Sequence, residues 1–115
     1  MTSNDFRKMA LGFPGTVESA HMNHPDFRAE GRIFATLGYP DESWGMVGLT
    51  GEQQRAFIRR GNGAFRPCNG VWGERGATNV HLGSAEKSLL ESALRAAVRN
   101  ALAKTKKRAT RKPRR

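Results

Sequence analysis

The sequence predicts an α+β fold in which an antiparallel sheet packs against helices. The first observation is the order of its patterns: a short helix, several strands joined by short turns, a helix, a last strand and a long helix. The second is that strands and helices do not alternate regularly, as a doubly wound parallel sheet would require. The third is an apolar stripe at helical spacing over residues 89–102, which indicates a long C-terminal helix.

The N-terminal segment predicts a short helix followed by a strand. Ser3 or Asn4 can cap the helix. Pro14 and Gly15 end it, because proline cannot continue a helix. The strand covers Thr16–His21. The apolar residues of the helix recur at i, i+3, i+4 and i+7, and they are Phe6, Met9, Ala10 and Phe13.

A hairpin with its turn at Glu30-Gly31 is predicted next, with strands over residues 27–29 and 32–37. In its second strand, Ile33, Ala35 and Leu37 alternate with Arg32, Phe34 and Thr36, which is the period of a half-buried strand. A turn over residues 38–43 and a strand over Trp44–Leu49 follow.

Thr50 and Gln53 form a capping box, so a second helix begins there. This helix buries Phe57 and Ile58 and ends at Gly61, which suits the position after a helix.

Residues 61–76 are predicted to be a loop. A last strand covers Ala77–Leu82, and Ser84 is predicted to cap the long C-terminal helix. Gly70, Gly73 and Gly76 recur around Trp72 without forming a phosphate-binding motif. Trp72 itself is interpreted as a core residue, with a partner-facing ring as the other possibility.

Positive charge is concentrated at the C-terminus. Of the formal net charge of +10, residues 104–115 supply +8 and residues 1–103 supply +2. We therefore expect one α+β domain over residues 1–103 and a disordered or frayed-helical tail over residues 104–115. The basic residues of the tail are Lys104, Lys106, Lys107, Arg108, Arg111, Lys112, Arg114 and Arg115.

Such a tail attracts polyanions. Neutralising phosphates releases condensed counterions, so binding to nucleic acid through this tail would weaken steeply with salt. The tail contains no aromatic residue and hence offers little base readout. It has no apolar face for a membrane either. The expected partner is nucleic acid, mainly double-stranded DNA, with a monomeric protein favoured.

Arg28 and Arg32 flank the Glu30-Gly31 turn. Two cations at a hairpin tip are how a wing reaches phosphates in a winged DNA-binding domain. Equally, the two arginines can be exposed strand residues that pair with Glu30 or Glu18. Both interpretations remain open from the sequence.

No residue pattern indicates a metal, a cofactor or catalysis. His21, His24 and Asp26 do not have zinc-site spacing. Pro25 makes His24 extended, so the two imidazoles need not share a face, and His24 and Asp26 are expected to set a turn by hydrogen bonding. Cys68 is the single cysteine, so no internal disulfide can form. We expect a cytoplasmic protein that is not an enzyme.

Several segments, in this order, resemble the MmcQ/YjbR family over roughly residues 5–100. They are residues 11–18 (LGFPGTVE), residues 24–28 (HPDFR), Glu30-Gly31, residues 32–35 (RIFA) with Leu37, Leu49-Thr50, Trp72-Gly73 with Gly76, and Val80 with Leu82. The resemblance implies an antiparallel sheet with packed helices, similar to the double-wing fold of a phage transcription factor's DNA-binding domain. Members of the family are usually labelled DNA-binding. Ala77 departs from the family, which often has an aromatic residue there, and the extended basic tail is not a family hallmark.

The main hypothesis is therefore a DNA-binding protein of the MmcQ/YjbR kind that contacts phosphates through the tail, with help from Arg28 and Arg32. The alternative is a protein-interaction or small-ligand module in which the tail is incidental. Its working surface would be a sheet face carrying Phe27, Phe34 and Trp72, and exposure of these rings would favour it.

Overall fold

The protein has an α+β architecture built on one six-stranded antiparallel sheet. The computed structural model describes residues 1–110, with side chains through Lys104. The elements in chain order are α1 (Ser3–Leu11), β1 (Thr16–His21), β2 (His24–Ala29), β3 (Arg32–Leu37), β4 (Trp44–Gly48), α2 (Gly51–Arg60), β5 (Phe65–Pro67), α3 (Gly70–Glu74), β6 (Ala77–His81) and α4 (Lys87–Thr110). None of the described helices is long and apolar enough to cross a membrane.

The strand order in the sheet is β1-β2-β3-β4-β6-β5. The first four strands are sequential neighbours, so each is joined to the next by a short connection. After β4 the chain crosses through α2 to form the edge strand β5, and α3 then leads it back into β6, which lies between β4 and β5. Strands β1 to β4 thus form an antiparallel meander, and one crossover connection adds β5 and β6 to the same sheet.

Two tight turns organise the first three strands. Glu30 and Gly31 join β2 to β3 with φ of 53° and 78°, which is the positive-φ pair of a two-residue hairpin turn and confirms the predicted turn. Met22 and Asn23 form an equivalent turn between β1 and β2, with φ of 51° and 67°. The sequence did not indicate this second turn because methionine rarely adopts positive φ. As a result, β2 begins at His24 and not at residue 27.

Phe34 is the extra residue of a β-bulge in β3. The pairing with β2 passes from Ala35 to Ile33 and skips Phe34. A bulge interrupts the alternation of sheet faces, and Phe34 and Ala35 are therefore both buried while Ile33 is 42% exposed. The predicted alternation of Ile33, Ala35 and Leu37 with Phe34 is wrong at Ile33 and Phe34 for this reason.

The hydrophobic core lies between one side of the sheet and helices α1 and α4. The predicted stripe of α4 is buried from Leu89 to Ala101, whereas Leu102 is 40% exposed, so packing against the sheet ends at Ala101. The strands contribute residues that alternate toward α4. The larger fully buried apolar side chains are Phe6, Phe27, Phe34, Val47, Phe65, Val80, Leu82, Leu90 and Leu94.

The helix ends differ in part from the predictions. Thr2, and not Ser3 or Asn4, caps α1 through a capping box with Asp5. The predicted capping box of Thr50 and Gln53 is confirmed at α2. Helix α4 begins at Lys87 and not next to Ser84, whose hydroxyl is 2.9 Å from His81 Nδ1.

The segment predicted as a loop over residues 61–76 contains the short strand β5 and the short helix α3. Gly61 keeps a right-handed conformation, and Asn62 takes the positive φ instead. Gly61 is required for space, because a Cβ there would lie 2.4 Å from the Phe65 ring. The predicted end of α2 at Gly61 is therefore confirmed, and the residue of positive φ that follows the helix is Asn62.

Candidate functional site

A groove lies between the tip of the β2–β3 hairpin and the C-terminal half of α4, and we call it the cationic groove. Its volume is about 430 Å³. It forms because α4 packs across β3, so the turn at Gly31 and the exposed end of the helix converge. The residues that line it are Arg28, Gly31, Arg32, Ile33, Phe34, Gly48, Ala97, Asn100, Ala101 and Lys104.

Arg32 and Lys104 supply unpaired positive charge to the cationic groove. Among the described residues, neither side chain makes an ion pair or a hydrogen bond. Asn100, in contrast, is fully occupied as a donor: its Nδ2 donates to Gly48 O at 3.0 Å and to Gln53 Oε1 at 2.8 Å. Asn100 thus fastens α4 to the end of β4 and the start of α2, and it keeps Lys104 beside the hairpin.

Arg28 also lines the cationic groove, but its guanidinium is already paired. Its Nε donates to Asp26 Oδ1 at 2.8 Å and its Nη2 donates to Asp26 Oδ2 at 3.1 Å. The pKa of the Asp26 carboxyl is held below its ordinary value chiefly by these bonds, against the effect of burial. The predicted pairing of Arg28 with Glu30 or Glu18 is wrong, because Asp26 is its partner and Glu18 pairs with Arg7 at 2.9 Å.

The tail cations are placed only in part. Lys104 is exposed at the cationic groove, and Lys106, Lys107 and Arg108 belong to α4, which runs to Thr110. The side chains of those three lie outside the described part of the chain. The other predicted tail residues lie outside the described residues altogether, and they are Arg111, Lys112, Arg114 and Arg115.

The predicted aromatic surface does not exist in the expected form. Phe27 and Phe34 are 0% and 1% exposed, so both are core residues and cannot meet a partner. Trp72 is 70% exposed, so the interpretation of Trp72 as a core residue is also wrong. Its position follows from α3, which packs so closely that a Cβ at Gly73 would lie 1.7 Å from Cys68 O. This short helix was not visible in the sequence.

A second groove, which we call the aromatic groove, lies on the side of the sheet opposite to α4. Its volume is about 580 Å³. Its floor is a row of consecutive cross-strand partners, Thr36, Met46 and Asn79, on β3, β4 and β6. The remaining residues that line it are His21, Met22, His24, Tyr39, Cys68, Asn69, Trp72 and Ala77.

A buried carboxylate orients one imidazole at the rim of the aromatic groove. Asp26 is 0% exposed, and its Oδ2 accepts a hydrogen bond from His21 Nδ1 at 2.7 Å. His21 and His24 are direct cross-strand partners and therefore share a face, so the expectation that they need not is wrong. His24 contacts the Tyr39 ring edge-on at 6.2 Å between centroids. Asp26 thus accepts hydrogen bonds from His21, across the β1–β2 hairpin, and from Arg28, and no hydrogen bond joins it to His24 as the sequence had predicted.

The Cys68 thiol also lines the aromatic groove. Burial raises the pKa of Cys68 to about 11, and the thiol donates a hydrogen bond to Asn79 Oδ1 at 3.1 Å. Within residues 1–104, no three His, Cys, Asp or Glu side chains come together as a metal site would require.

Comparison with known proteins supports the fold. No protein-family model matches the chain, and no curated protein matches it. Among solved structures, the chain is similar to the crystal structure of Deinococcus radiodurans protein DR2400, a DUF419 domain, with a TM-score of 0.67 and 17% sequence identity. The match covers 84% of this chain and 75% of DR2400. The fold of DUF419 is of the YjbR/MmcQ-like kind. The comparison therefore confirms the predicted fold class, which is an α+β domain with an antiparallel sheet, flanking helices and a long C-terminal helix.

Proposed function

We propose that this is a nucleic-acid-binding protein of the MmcQ/YjbR kind, which contacts phosphates, mainly of double-stranded DNA, through the end of α4 and the basic tail. One observation carries the proposal: Arg32 and Lys104, far apart in sequence, line one groove without an acidic partner among the described residues. Unpaired cations that converge at an exposed groove are suited to an anionic ligand.

The geometry of α4 connects the cationic groove to the tail. Ala97, Ala101 and Lys104 line the groove from one side of the helix. Positions 107 and 108 follow position 104 at i+3 and i+4, which is the same side of a continuous helix. The groove therefore leads along the helix toward the densest part of the tail charge. A phosphate backbone lying along this path would meet cations continuously.

The two hairpin arginines have different roles in this proposal. Arg32 is the cation that meets phosphate. Arg28 is compensated by Asp26, so it fixes the hairpin and adds little net charge. This difference between Arg28 and Arg32 distinguishes phosphate binding in the cationic groove from nonspecific attraction to any positive residue.

The test is fluorescence anisotropy of a labelled duplex titrated from about 50 to 200 mM salt. The full chain is compared with residues 1–103 and with Arg32→Gln. The matched control is Arg99→Gln, which removes an exposed cation of α4 that does not line the groove. We expect the truncation to reduce the slope of log K against log salt by several units and Arg32→Gln to reduce it by about 1.

Two results would count against the proposal. An unchanged slope after truncation would remove the tail from the interface. Equal effects of Arg32→Gln and Arg99→Gln would show that the cationic groove has no special part in binding. Monomeric state, cytoplasmic location and the lack of enzymatic activity stay predictions.

A further inference from the structure

The aromatic groove has the composition of a ligand site for an uncharged planar group. Trp72 is 70% and Tyr39 is 61% exposed, and both rings line it. Large rings in contact with water leave much apolar area to bury. Met22, 85% exposed, and Met46 add flexible apolar surface that adapts to a ring.

The lining of the aromatic groove disfavours a strongly ionic occupant. Among the described residues, no Lys, Arg, Asp or Glu lines the aromatic groove, although the whole chain carries a net charge of +10. A phosphate or carboxylate placed inside would meet no described lysine or arginine there, and of the two lining histidines His21 is already paired with Asp26. The part of a ligand that enters the groove is therefore uncharged.

Polar groups with unused hydrogen-bonding capacity stand at the floor and the rim. Asn79 Oδ1 accepts from Cys68, while its Nδ2 has no partner among the described residues. The Asn69 side chain makes no capping hydrogen bond to α3. The buried Asp26 fixes His21 Nδ1, so the opposite ring nitrogen of His21 is held in a defined orientation.

We propose that the aromatic groove binds an uncharged nitrogen heterocycle, the chemical class of the nucleic-acid bases, with its ring stacked on Trp72 and its edge hydrogen-bonded by Asn79 and Asn69. The proposal does not rest on the phosphate-binding function, because the two grooves have no described lining residue in common. The heterocycle has two possible sources, a free nucleoside or an unstacked base of a single strand. Bases within a duplex are already stacked and do not fit this site.

The first arm of the test uses uncharged nucleosides and the full chain carrying Trp44→Phe, which leaves Trp72 as the single tryptophan. We expect adenosine to quench Trp72 fluorescence in a saturable way, and Asn79→Ala to weaken that binding. The matched control is Val71→Ala, an exposed residue of α3 that does not line the groove, which should leave binding unchanged.

The second arm compares a labelled single-stranded oligonucleotide with an abasic strand of the same length and charge. The abasic strand measures phosphate contacts alone. We expect the strand with bases to bind more tightly, and Trp72→Ala to weaken it roughly five- to 150-fold, the range of base–aromatic stacking, with no change for the abasic strand.

The outcomes separate the proposals. If adenosine binds but the strand with bases binds no more tightly than the abasic strand, the ligand is a free nucleoside. If the strand with bases binds more tightly but adenosine does not bind, the ligand is a base of a single strand. Absence of both, or a base preference that survives Trp72→Ala, would overturn the inference. If neither strand binds while adenosine still quenches Trp72, the phosphate-binding function fails and the aromatic groove stands.

Discussion

Replacing Asp26 by Asn tests how far one buried carboxylate controls the β1–β2 hairpin. Asp26 is 0% exposed and accepts three hydrogen bonds, one from His21 and two from Arg28. Asn has nearly the same shape, but its amide nitrogen would face these donors. Breaking a buried ion pair costs about 3–5 kcal/mol. Here the partners are 32% and 43% exposed and regain water, so we expect a loss of about 2–3 kcal/mol in unfolding free energy.

The pH dependence of this effect has a definite sign. Hydrogen bonds from Arg28, with a smaller contribution from His21, hold the pKa of Asp26 below its ordinary value of 3.8 in the folded protein. The unfolded chain therefore takes up a proton at higher pH than the folded chain does. The stabilisation by Asp26 is fully present above pH 3.8 and is lost as the pH falls below that value through the folded pKa.

The measurement is urea unfolding followed by circular dichroism, at neutral pH and in steps into acid. The difference between wild type and Asp26→Asn should shrink as the wild-type carboxyl becomes protonated. Glu42→Gln is the control, because Glu42 is exposed and makes no ion pair with the described residues. A loss below about 0.5 kcal/mol at neutral pH, or a difference that persists unchanged in strong acid, would refute the reasoning.

Three further predictions concern single positions. Gly76→Ala should cost more than about 3 kcal/mol in urea unfolding, because φ is +115° and a Cβ would lie 2.0 Å from Leu49 O; a mild effect would contradict this geometry. Leu94→Ala should cost about 2–5 kcal/mol in the same assay, since Leu94 is 0% exposed in the core beneath the sheet, and a neutral result would mean that α4 does not pack as described. Because burial raises the pKa of Cys68 to about 11, its alkylation followed by mass spectrometry should be slow near neutral pH and accelerate toward that pKa, and it should be faster in urea; rapid native labelling would contradict the burial.

The parts of the fold that could be predicted from the sequence depend on neighbouring residues. The capping box of Thr50 and Gln53 and the turn at Glu30-Gly31 involve residues at most three positions apart. The apolar stripe of α4 repeats over several turns of one helix. These patterns can be recognised without knowing which distant segments are in contact, so the structures predicted from them are found in the folded protein.

The features that were missed depend on contacts between distant segments. The bulge at Phe34 turns its ring into the core, and only the pairing of β3 with β2 reveals it. The exposure of Trp72 depends on α3 lying against Cys68, with Gly73 as the point of closest approach. Gln54 is another case: its Nε2 donates to Gly73 O, Ala77 O and Thr78 Oγ1, and so ties α2 to α3 and β6.

The candidate sites show the same difference between features that neighbouring residues determine and features that depend on distant contacts. The basic tail is a composition signal and was evident in the sequence, whereas the choice between Arg28 and Arg32 was not. Asp26 determines which of the two arginines is available to an anionic ligand, because it neutralises Arg28 and leaves Arg32 unpaired among the described residues. A single substitution of Asp26 would change both the hairpin and the set of free cations.

Asp26 also links the two sides of the sheet. On β2 it neutralises Arg28, which lies at the cationic groove, and across the β1–β2 hairpin it holds His21 at the aromatic groove. Within the described part of the chain, the cationic groove has cations without an ion-pair partner, and the aromatic groove has exposed rings and no charged lining residue other than histidine. Phosphates and bases are two chemically distinct parts of a nucleotide, and the two proposals assign one of these parts to each groove. If both grooves bind as proposed, selectivity among nucleic acids would arise in the aromatic groove more than in the tail, because charge attracts any phosphate backbone whereas stacking on an exposed ring requires an accessible base.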